Sequence, residues 1–225
     1  MLRDAVWRAL ETVLDPELDE PITDLDFVES YTVSCSGAAS VRLRLPTFFC
    51  APNFSFLMVA DAHDAVSQVP GVTRVDVTLT GHHAADEINS GVAAQAGFVS
   101  SFSGEATAEL DELRRVFLAK AALAGQDRVA RPLVDAGASP EQLARLTLGE
   151  VPDSVDLRRL TQRREALGLP ADDKAPLLIS ADGTPVTTAE VPLHLRRARL
   201  TRVGIETNGE YCKGLLAVRY ATAAP

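Results

Sequence analysis

Cysteines, aromatic residues and long apolar runs are all scarce in this chain of 225 residues. Its three cysteines are too few for a disulfide framework and leave at least one free thiol, which suits a reducing compartment. No apolar stretch approaches the roughly 18 residues that a membrane-spanning helix needs. The first residues lack the charged-then-apolar order of a secretion signal, so we expect a cytoplasmic location and no membrane partner.

Basic residues are scarce in the first hundred positions, which hold five arginines, no lysine and fourteen acidic residues. This part carries the whole formal charge of −9, because 17 basic residues (22 less 5) and 17 acidic residues (31 less 14) follow it. A surface of this sign cannot neutralise phosphates, so we expect no nucleic-acid partner. A Gly-rich phosphate loop, a Cys-x-x-Cys pair and a serine nucleophile elbow are also absent, which argues against ATP use and serine hydrolase chemistry.

The hydrophobic pattern of the first hundred residues predicts an α/β domain of the α+β type. Apolar residues recur every three to four positions in the predicted helices and alternate with polar ones in the strands. A tight turn joins the first two strands and a helix joins the second to the third, so we expect a small mixed three-stranded sheet. The predicted elements are helix 3–14, strand 27–34, strand 39–45, helix 53–69, strand 72–79 and helix 84–96.

The second half of the chain is predicted to be mainly helical with short strands, and no motif in it dictates chemistry. We expect a first domain at 1–97, a linker at 98–106 and an accessory domain at 107–225. The elements predicted in the accessory domain are helices 107–123, 139–146 and 155–167 and strands 176–180 and 200–206.

Cys50 lies where the second predicted strand gives way to the second helix. A thiol at a helix N-terminus faces unpaired backbone N–H groups and the positive end of the helix dipole, which favour its thiolate. Such a thiolate binds metal or acts as a nucleophile. The alternative is a small buried residue with a structural role only.

Strand order brings further ligand types to the same edge of the sheet. Parallel strands end at one edge, so His82 and His83, which follow the third strand, should lie near Cys50. The first strand begins at that edge and brings Asp24 and Asp26 with it. A site with thiol, imidazole and carboxylate groups is therefore predicted there.

Three more residues extend this set. Asp86 and Glu87 follow the two histidines at a spacing of four residues, which places paired ligands on one helical face. After Asn208 the chain fits either a hairpin return or a capped helix, and a shared apolar face favours the helix, which would place Cys212 in a first turn. A buried structural cysteine is the alternative for Cys212. The candidate metal ligands are Cys50, His82, His83, Asp24 and Asp86, with Asp26, Glu87 and Cys212 as secondary candidates.

Four ordered segments carry a family resemblance. They are 9–18 with its Asp-Pro-Glu step, 21–28 with its Asp-Leu step, 45–52 with its cysteine, and 69–77. Together they resemble the iron-sulfur cluster assembly domains of the SufT, PaaD and MIP-eighteen-like type, over about residues 1–97. Two positions depart from that pattern. Asp26 replaces a glycine, and Ala51 separates Cys50 from the proline that usually follows it directly.

The resemblance implies an assembly or maturation factor rather than an enzyme. Such a protein helps to load an iron or iron-sulfur centre into a client metalloenzyme, with Cys50 as its functional thiol and the iron or cluster as transient cargo. Because some members of that family are associated with multicomponent oxygenases, an oxygenase component is an expected client. A cluster scaffold protein is another expected partner, and a cluster that bridges two chains would make a homodimer.

Two other functions stay open at this point. The chain could be a metal-free adaptor or chaperone that holds a client enzyme, with Cys50 in a structural role. It could also be a cysteine-dependent enzyme, in which His82 or His83 activates Cys50. That enzyme would need an imidazole within hydrogen-bond reach of the thiol.

Overall fold

The structure of the protein is a computed structural model that describes residues 1–221. The chain divides into two units. The first consists of Met1–Glu112 together with the described residues from Thr207 onward, and the second consists of Leu113–Glu206. The division at 1–97, 98–106 and 107–225 stays a prediction.

The first unit begins with the predicted order of helix, strand, strand, helix, strand and helix. A short additional helix follows within the segment predicted to be a linker, and Phe102 just after it is buried in the core. The predicted α+β class is confirmed. The elements are α1 (Leu2–Leu10), β1 (Val28–Val33), β2 (Ala38–Arg44), α2 (Pro52–Ser67), β3 (Arg74–Thr80), α3 (Ala85–Ala93) and α4 (Phe98–Ser101).

The three strands form one mixed sheet in the order β1-β2-β3. β1 runs antiparallel to β2, and β2 runs parallel to β3, with Val41 opposite Val77 and Leu43 opposite Leu79. The helical crossover between β2 and β3 requires this parallel pairing. The carboxyl ends of β2 and β3 therefore meet at one edge of the sheet, as the sequence predicts.

Alternation in β2 explains why one face of the sheet is buried. Val41 and Leu43 are almost fully buried, whereas Arg42 between them is exposed. Helix α2 covers this face with a continuous apolar stripe that includes Val59 and Val66, both without exposed surface. Each such side chain contributes about 1.5–3 kcal/mol through its removal from water. This core fixes the edge of the sheet on which the candidate site lies.

The second unit is mainly helical around a core of its own. Two of its helices begin as their sequences predict: Ser139 and Gln142 form a capping box, and Ser154 caps the helix that ends at Gly168. No helix within residues 1–221 combines the length and apolar character that crossing a bilayer requires. The elements are α5 (Asp111–Asp135), α6 (Pro140–Arg145), a 3-10 turn (Leu148–Glu150), α7 (Val155–Leu167) and α8 (Val191–Tyr220).

Three predictions for the second half are wrong. The strand predicted at 200–206 is part of the long helix α8, and Asn208 lies inside that helix rather than capping it. The segment 176–180 makes only isolated bridges, Thr147 to Pro176 and Ile179 to Pro185. The helix α8 continues into the first unit, where its last part packs against the core through Leu216.

Candidate functional site

The loop between β2 and α2 holds Cys50 at the edge where β2 ends. Ala51 is the N-cap of α2 and Pro52 is its first helical residue, so the thiol lies just outside the helix. The side chain of Cys50 is half-buried, and its Sγ lies 3.3 Å from Thr47 Oγ1. The Thr47 hydroxyl also accepts a hydrogen bond from the Phe49 backbone N–H at 3.2 Å. Thr47 therefore fixes both the loop and the position of the sulfur.

His82 is brought to Cys50 but contacts its backbone. Its Nδ1 accepts a hydrogen bond from the Ala84 N–H at 3.1 Å, so Nε2 carries the ring proton and donates it to the Cys50 carbonyl at 2.7 Å. Nε2 is also 3.3 Å from Ser55 Oγ. Burial lowers the pKa of His82, which keeps the ring neutral at neutral pH. Both nitrogens are therefore occupied, and the ring holds the cysteine loop in place.

His83 lies beside the same loop but is exposed. Its Nδ1 donates a hydrogen bond to the Phe48 carbonyl at 3.0 Å, and its backbone N–H donates to the same oxygen at 3.1 Å. Within residues 1–221 its Nε2 has no hydrogen-bond partner, and an imidazole nitrogen with a lone pair is the form that binds metals. The ring also lies near that of Phe49, with centroids 5.7 Å apart. His83 is thus the histidine of the pair with a nitrogen still able to act as a ligand.

The predicted carboxylates are exposed. Asp24 lies in a turn before β1, and Asp86 and Glu87 lie in the first turn of α3. Asp26 adopts φ of +59°, a left-handed backbone that favours glycine, and its side chain pairs with Arg44. This explains why the family pattern has glycine at that position. Within residues 1–221, no group of three or more His, Cys, Asp or Glu side chains is arranged to hold a metal ion.

A buried carboxyl group that sequence reasoning missed lies close to the thiol of Cys212. Asp15 is only 7% exposed, and its Oδ1 accepts hydrogen bonds from the N–H groups of Glu17 at 2.8 Å and Leu18 at 2.9 Å. Burial raises its pKa to about 6, despite these bonds. In the sequence, the Asp-Pro-Glu step at residues 15–17 indicated the end of the first helix, but it did not indicate that Asp15 is buried.

Cys212 reaches the same region from the last part of α8. Burial, followed by the charges of Asp15, Cys50 and Glu17, raises the pKa of Cys212 to about 11. Both thiols pack against the core of the first unit. The interaction means that Cys212 lies close enough to Cys50 for their charges to influence one another.

Polar contacts fix this part of α8 over the sheet edge. Lys213 Nζ lies 2.8 Å from a carboxylate oxygen of Glu20. One turn after the buried Leu216, Arg219 donates hydrogen bonds to the carbonyl of Leu45 at 3.0 Å and to that of Gly81 at 2.6 Å. Those two carbonyls follow the ends of β2 and β3. Cys212, Leu216 and Arg219 are spaced by four and three residues and therefore share one face of α8.

Asp15, Cys50 and Cys212 are all groups that become anionic when they lose a proton. Burial raises the pKa of Asp15 and that of Cys212, and the charges of Asp15 and Cys50 raise the pKa of Cys212 further, so deprotonation here carries an energetic penalty. A cation bound among them would remove that penalty. Thiolates select soft metals such as copper(I), zinc and the iron of iron-sulfur clusters. The site is therefore suited to a thiophilic cation.

The first part of this chain is similar to a known family of proteins. A sequence model of a family described as "Iron-sulfur cluster assembly protein" matches residues 3–78. The match includes Asp15 and Cys50 but ends long before α8, so Cys212 lies outside it. Of the two thiols, only Cys50 therefore belongs to the segment that matches the family.

Three relatives share this kind of similarity. Two proteins named iron-sulfur cluster carrier protein, from Mycobacterium leprae and a Synechocystis species, are each 36% identical, over 78 and 77 residues. These alignments cover 35% and 34% of this chain but only 20% and 21% of those proteins, so the chain spans about a fifth of their length. An uncharacterised protein of Methanocaldococcus jannaschii is 30% identical over 87 residues, which is 39% of this chain and 90% of that protein.

Proposed function

The chain belongs to the family of iron-sulfur cluster assembly proteins, and we propose that it carries iron or an iron-sulfur cluster as transient cargo to a client metalloenzyme. The observation that carries this proposal is the half-buried Cys50 thiol at the sheet edge, with Cys212 and the carboxyl group of Asp15 nearby. The names of two relatives, which describe cluster carriers, agree with it. A cytoplasmic location remains part of the proposal.

The ligand set supports temporary rather than permanent binding. Iron-sulfur clusters are usually held by four cysteine thiolates, and this site offers Cys50 and Cys212. The free Nε2 of His83 is a third candidate on the same loop edge. The remaining ligands would come from a client, a cluster scaffold protein or a second copy of the chain. A cargo held by so few ligands passes readily to a protein that offers more.

We assign different roles to the other predicted ligands. His82 positions the cysteine loop, because its two nitrogens are used by the backbone of Cys50 and Ala84. The exposed carboxylates are proposed to attract iron toward the edge rather than to bind it tightly. They are Asp24, Asp26, Asp86 and Glu87.

Two exposed aromatic rings support direct contact with a client. Phe48 is 47% exposed and Phe49 is 77% exposed, and both belong to the loop that bears Cys50. Aromatic residues are enriched at protein interfaces relative to other surfaces. Docking on these rings would bring the client's own ligands to the thiol. The family resemblance makes an oxygenase component the proposed client.

Anaerobic isolation tests the proposal, with cysteine variants that include a matched control. Cys35 is an exposed thiol in the turn between β1 and β2 of the same unit. We expect bound iron and sulfide, with charge-transfer absorption, in the unmodified chain and in Cys35→Ser. Both Cys50→Ser and Cys212→Ser should lose most of the iron. Equal iron content in all four proteins would overturn the role of the two thiols.

A metal-free adaptor is the second candidate function. It is favoured by the exposed Phe48 and Phe49, together with the finding that the described residues 1–221 contain no group of three metal-binding side chains. This function predicts a stoichiometric client complex that survives Cys50→Ala but is lost in Phe49→Ala. A complex that requires both Cys50 and iron would exclude it.

A further inference from the structure

The second unit contains a pocket that the proposed iron chemistry does not use. Its volume is about 350 Å³, at the lower end of the range of roughly 300–1,000 Å³ for small-molecule sites. Residues of α5, α7 and α8 form its walls, together with the segment around Ile179. All of these lining residues belong to the second unit. A pocket of this size accepts a small organic molecule.

Most of the pocket wall is apolar. Val116 and Leu123 from α5 line the pocket together with Leu167, Leu169 and Ile179. Three alanines complete this apolar wall: Ala119, Ala122 and Ala181. Such a lining favours a ligand with a hydrocarbon or aromatic body.

The polar groups of the wall are predominantly basic. Lys120, Arg164, His194 and Arg197 line the pocket, and none of the residues that line it is acidic. Burial and the charges of Arg164 and Arg197 lower the pKa of His194, whereas Glu190 opposes this effect. His194 is therefore neutral at neutral pH, and its Nε2 lies 3.0 Å from Gln126 Oε1. The pocket thus carries positive charge on three side chains.

Arg164 is a buried cation in the wall of this pocket. It has no exposed surface, and it donates hydrogen bonds to the carbonyls of Pro176 at 2.8 Å and Leu177 at 2.5 Å. Its Nε is buried without a hydrogen-bond partner in the described part of the chain. Burial lowers its pKa to about 10, so the guanidinium remains charged at neutral pH. A buried cation of this kind is costly unless an anion accompanies it.

Asp182 and Glu190 line an adjoining cavity that shares His194 and Arg197 with this pocket, and both accept hydrogen bonds from neighbouring residues. Glu190 Oε2 accepts hydrogen bonds from the N–H of Thr187 at 3.0 Å and from its hydroxyl at 2.6 Å. Asp182 Oδ1 accepts from the Thr184 N–H at 3.1 Å and from the Ser180 hydroxyl. No ion pair joins Arg164 to a carboxylate within residues 1–221. An anionic ligand in the pocket would give Arg164 an ion pair that the described residues do not provide.

We infer that this pocket binds a small organic monoanion with an apolar body, such as a medium-chain or aromatic carboxylate. The carboxylate group would lie near Arg164, with Arg197 and Lys120 as further cations, while the apolar body would contact the aliphatic wall. This inference does not depend on the proposed function of the thiol site. It gives the second unit a ligand of its own.

Calorimetric titration of the full chain with octanoate tests the inference. We expect saturable binding of one octanoate per chain. Octanol, which lacks the charge, should bind at least about tenfold more weakly, the value of one hydrogen bond to a charged group. Acetate keeps the charge but loses the burial of the hydrocarbon chain, so it should also bind at least about tenfold more weakly. Absence of saturable octanoate binding would overturn the inference, and so would equal binding of octanol, which would indicate an uncharged apolar pocket.

Two adjacent arginines provide matched variants. Arg197 lines the pocket whereas the exposed Arg196 beside it does not, so Arg197→Gln should weaken octanoate binding about tenfold and Arg196→Gln should leave it unchanged. Ala119→Trp, at an exposed position of the pocket wall, should block binding by filling the space. Iron content should stay unchanged in all three variants. Equal octanoate affinity in Arg196→Gln and Arg197→Gln would contradict the assignment.

Discussion

Two regions of this molecule bury ionisable side chains, and their charges are of opposite sign. At the sheet edge of the first unit, Asp15 and the thiols of Cys50 and Cys212 are groups that become anionic. In the pocket of the second unit, Arg164 is a buried cation without a carboxylate partner in the described residues. The two regions are therefore proposed to bind ligands of opposite charge, a cation at the sheet edge and an organic anion in the pocket.

Burial shifts the pKa values of the ionisable groups in opposite directions in the two regions. Burial raises the pKa of Asp15 to about 6, so its carboxyl group is mainly neutral only below that pH. Burial raises the pKa of Cys212 to about 11, so its thiol is neutral at neutral pH. Burial lowers the pKa of Arg164 to about 10, which still leaves it charged. At neutral pH the Cys212 thiol is therefore protonated and the Asp15 carboxyl is mostly ionised, whereas the Arg164 guanidinium is charged.

The largest effect is expected from removal of the buried cation. Arg164→Ala should lower the free energy of unfolding by about 2–6 kcal/mol, because the carbonyls of Pro176 and Leu177 lose their donors and each buried group left unsatisfied costs about 1–3 kcal/mol. Arg158→Ala on the same helix removes only an exposed ion pair with Asp153 and should cost less than about 1 kcal/mol. Urea denaturation of both variants measures the difference. Similar losses would mean that Arg164 is not a buried cation.

The buried acid of the first region should give the next largest effect. The folded Asp15 carboxyl keeps its proton up to about pH 6, whereas an unfolded one titrates near about 3.9. The folded state then binds more protons between these values, so stability falls as pH rises through this window, by about 3 kcal/mol in total.

Asp15→Asn isolates that effect, because its amide oxygen can still accept the hydrogen bonds of Glu17 and Leu18. Relative to the unmodified chain, the variant should gain stability progressively from pH 4 to pH 6. Unfolding curves for both proteins at each pH measure this difference. A difference that does not change with pH would show that Asp15 is not buried as an acid.

A smaller effect is expected at Asp26, which holds a left-handed backbone at the edge of the first region. Asp26→Gly and Asp26→Ala both remove the exposed ion pair with Arg44, but only alanine strains the backbone. Asp26→Ala should therefore be less stable than Asp26→Gly by about 1 kcal/mol. Thermal unfolding of the two variants compares them directly. Equal stability would mean that this turn relaxes to another conformation.

Local patterns predicted the first unit well, because its elements are short and regular. Alternation of Val41 and Leu43 with Arg42 directly reports a sheet with one buried face. In α8 the local signals conflict with the fold: Val203 and Ile205 favour a strand, and Gly204 weakens a helix. Packing in the folded chain overrides these preferences, and the segment is helical.

The candidate site could be predicted only in part. Parallel strand order places His82 and Cys50 at one edge, and the structure has them in hydrogen-bond contact. Strand order cannot reveal that His82 binds a backbone carbonyl, since that depends on the exact path of the loop. Nor could sequence place Cys212 there, because its position depends on long-range contacts of Lys213 and Arg219.

The number of sulfur ligands around iron tests the central claim most directly. X-ray absorption at the iron edge, on anaerobically loaded chain, should show iron bound to cysteine sulfur from both Cys50 and Cys212. Each of Cys50→Ser and Cys212→Ser should then reduce the sulfur contribution, while Cys35→Ser should leave it unchanged. The same spectrum for all four proteins, or iron surrounded only by oxygen and nitrogen in the unmodified chain, would contradict the account.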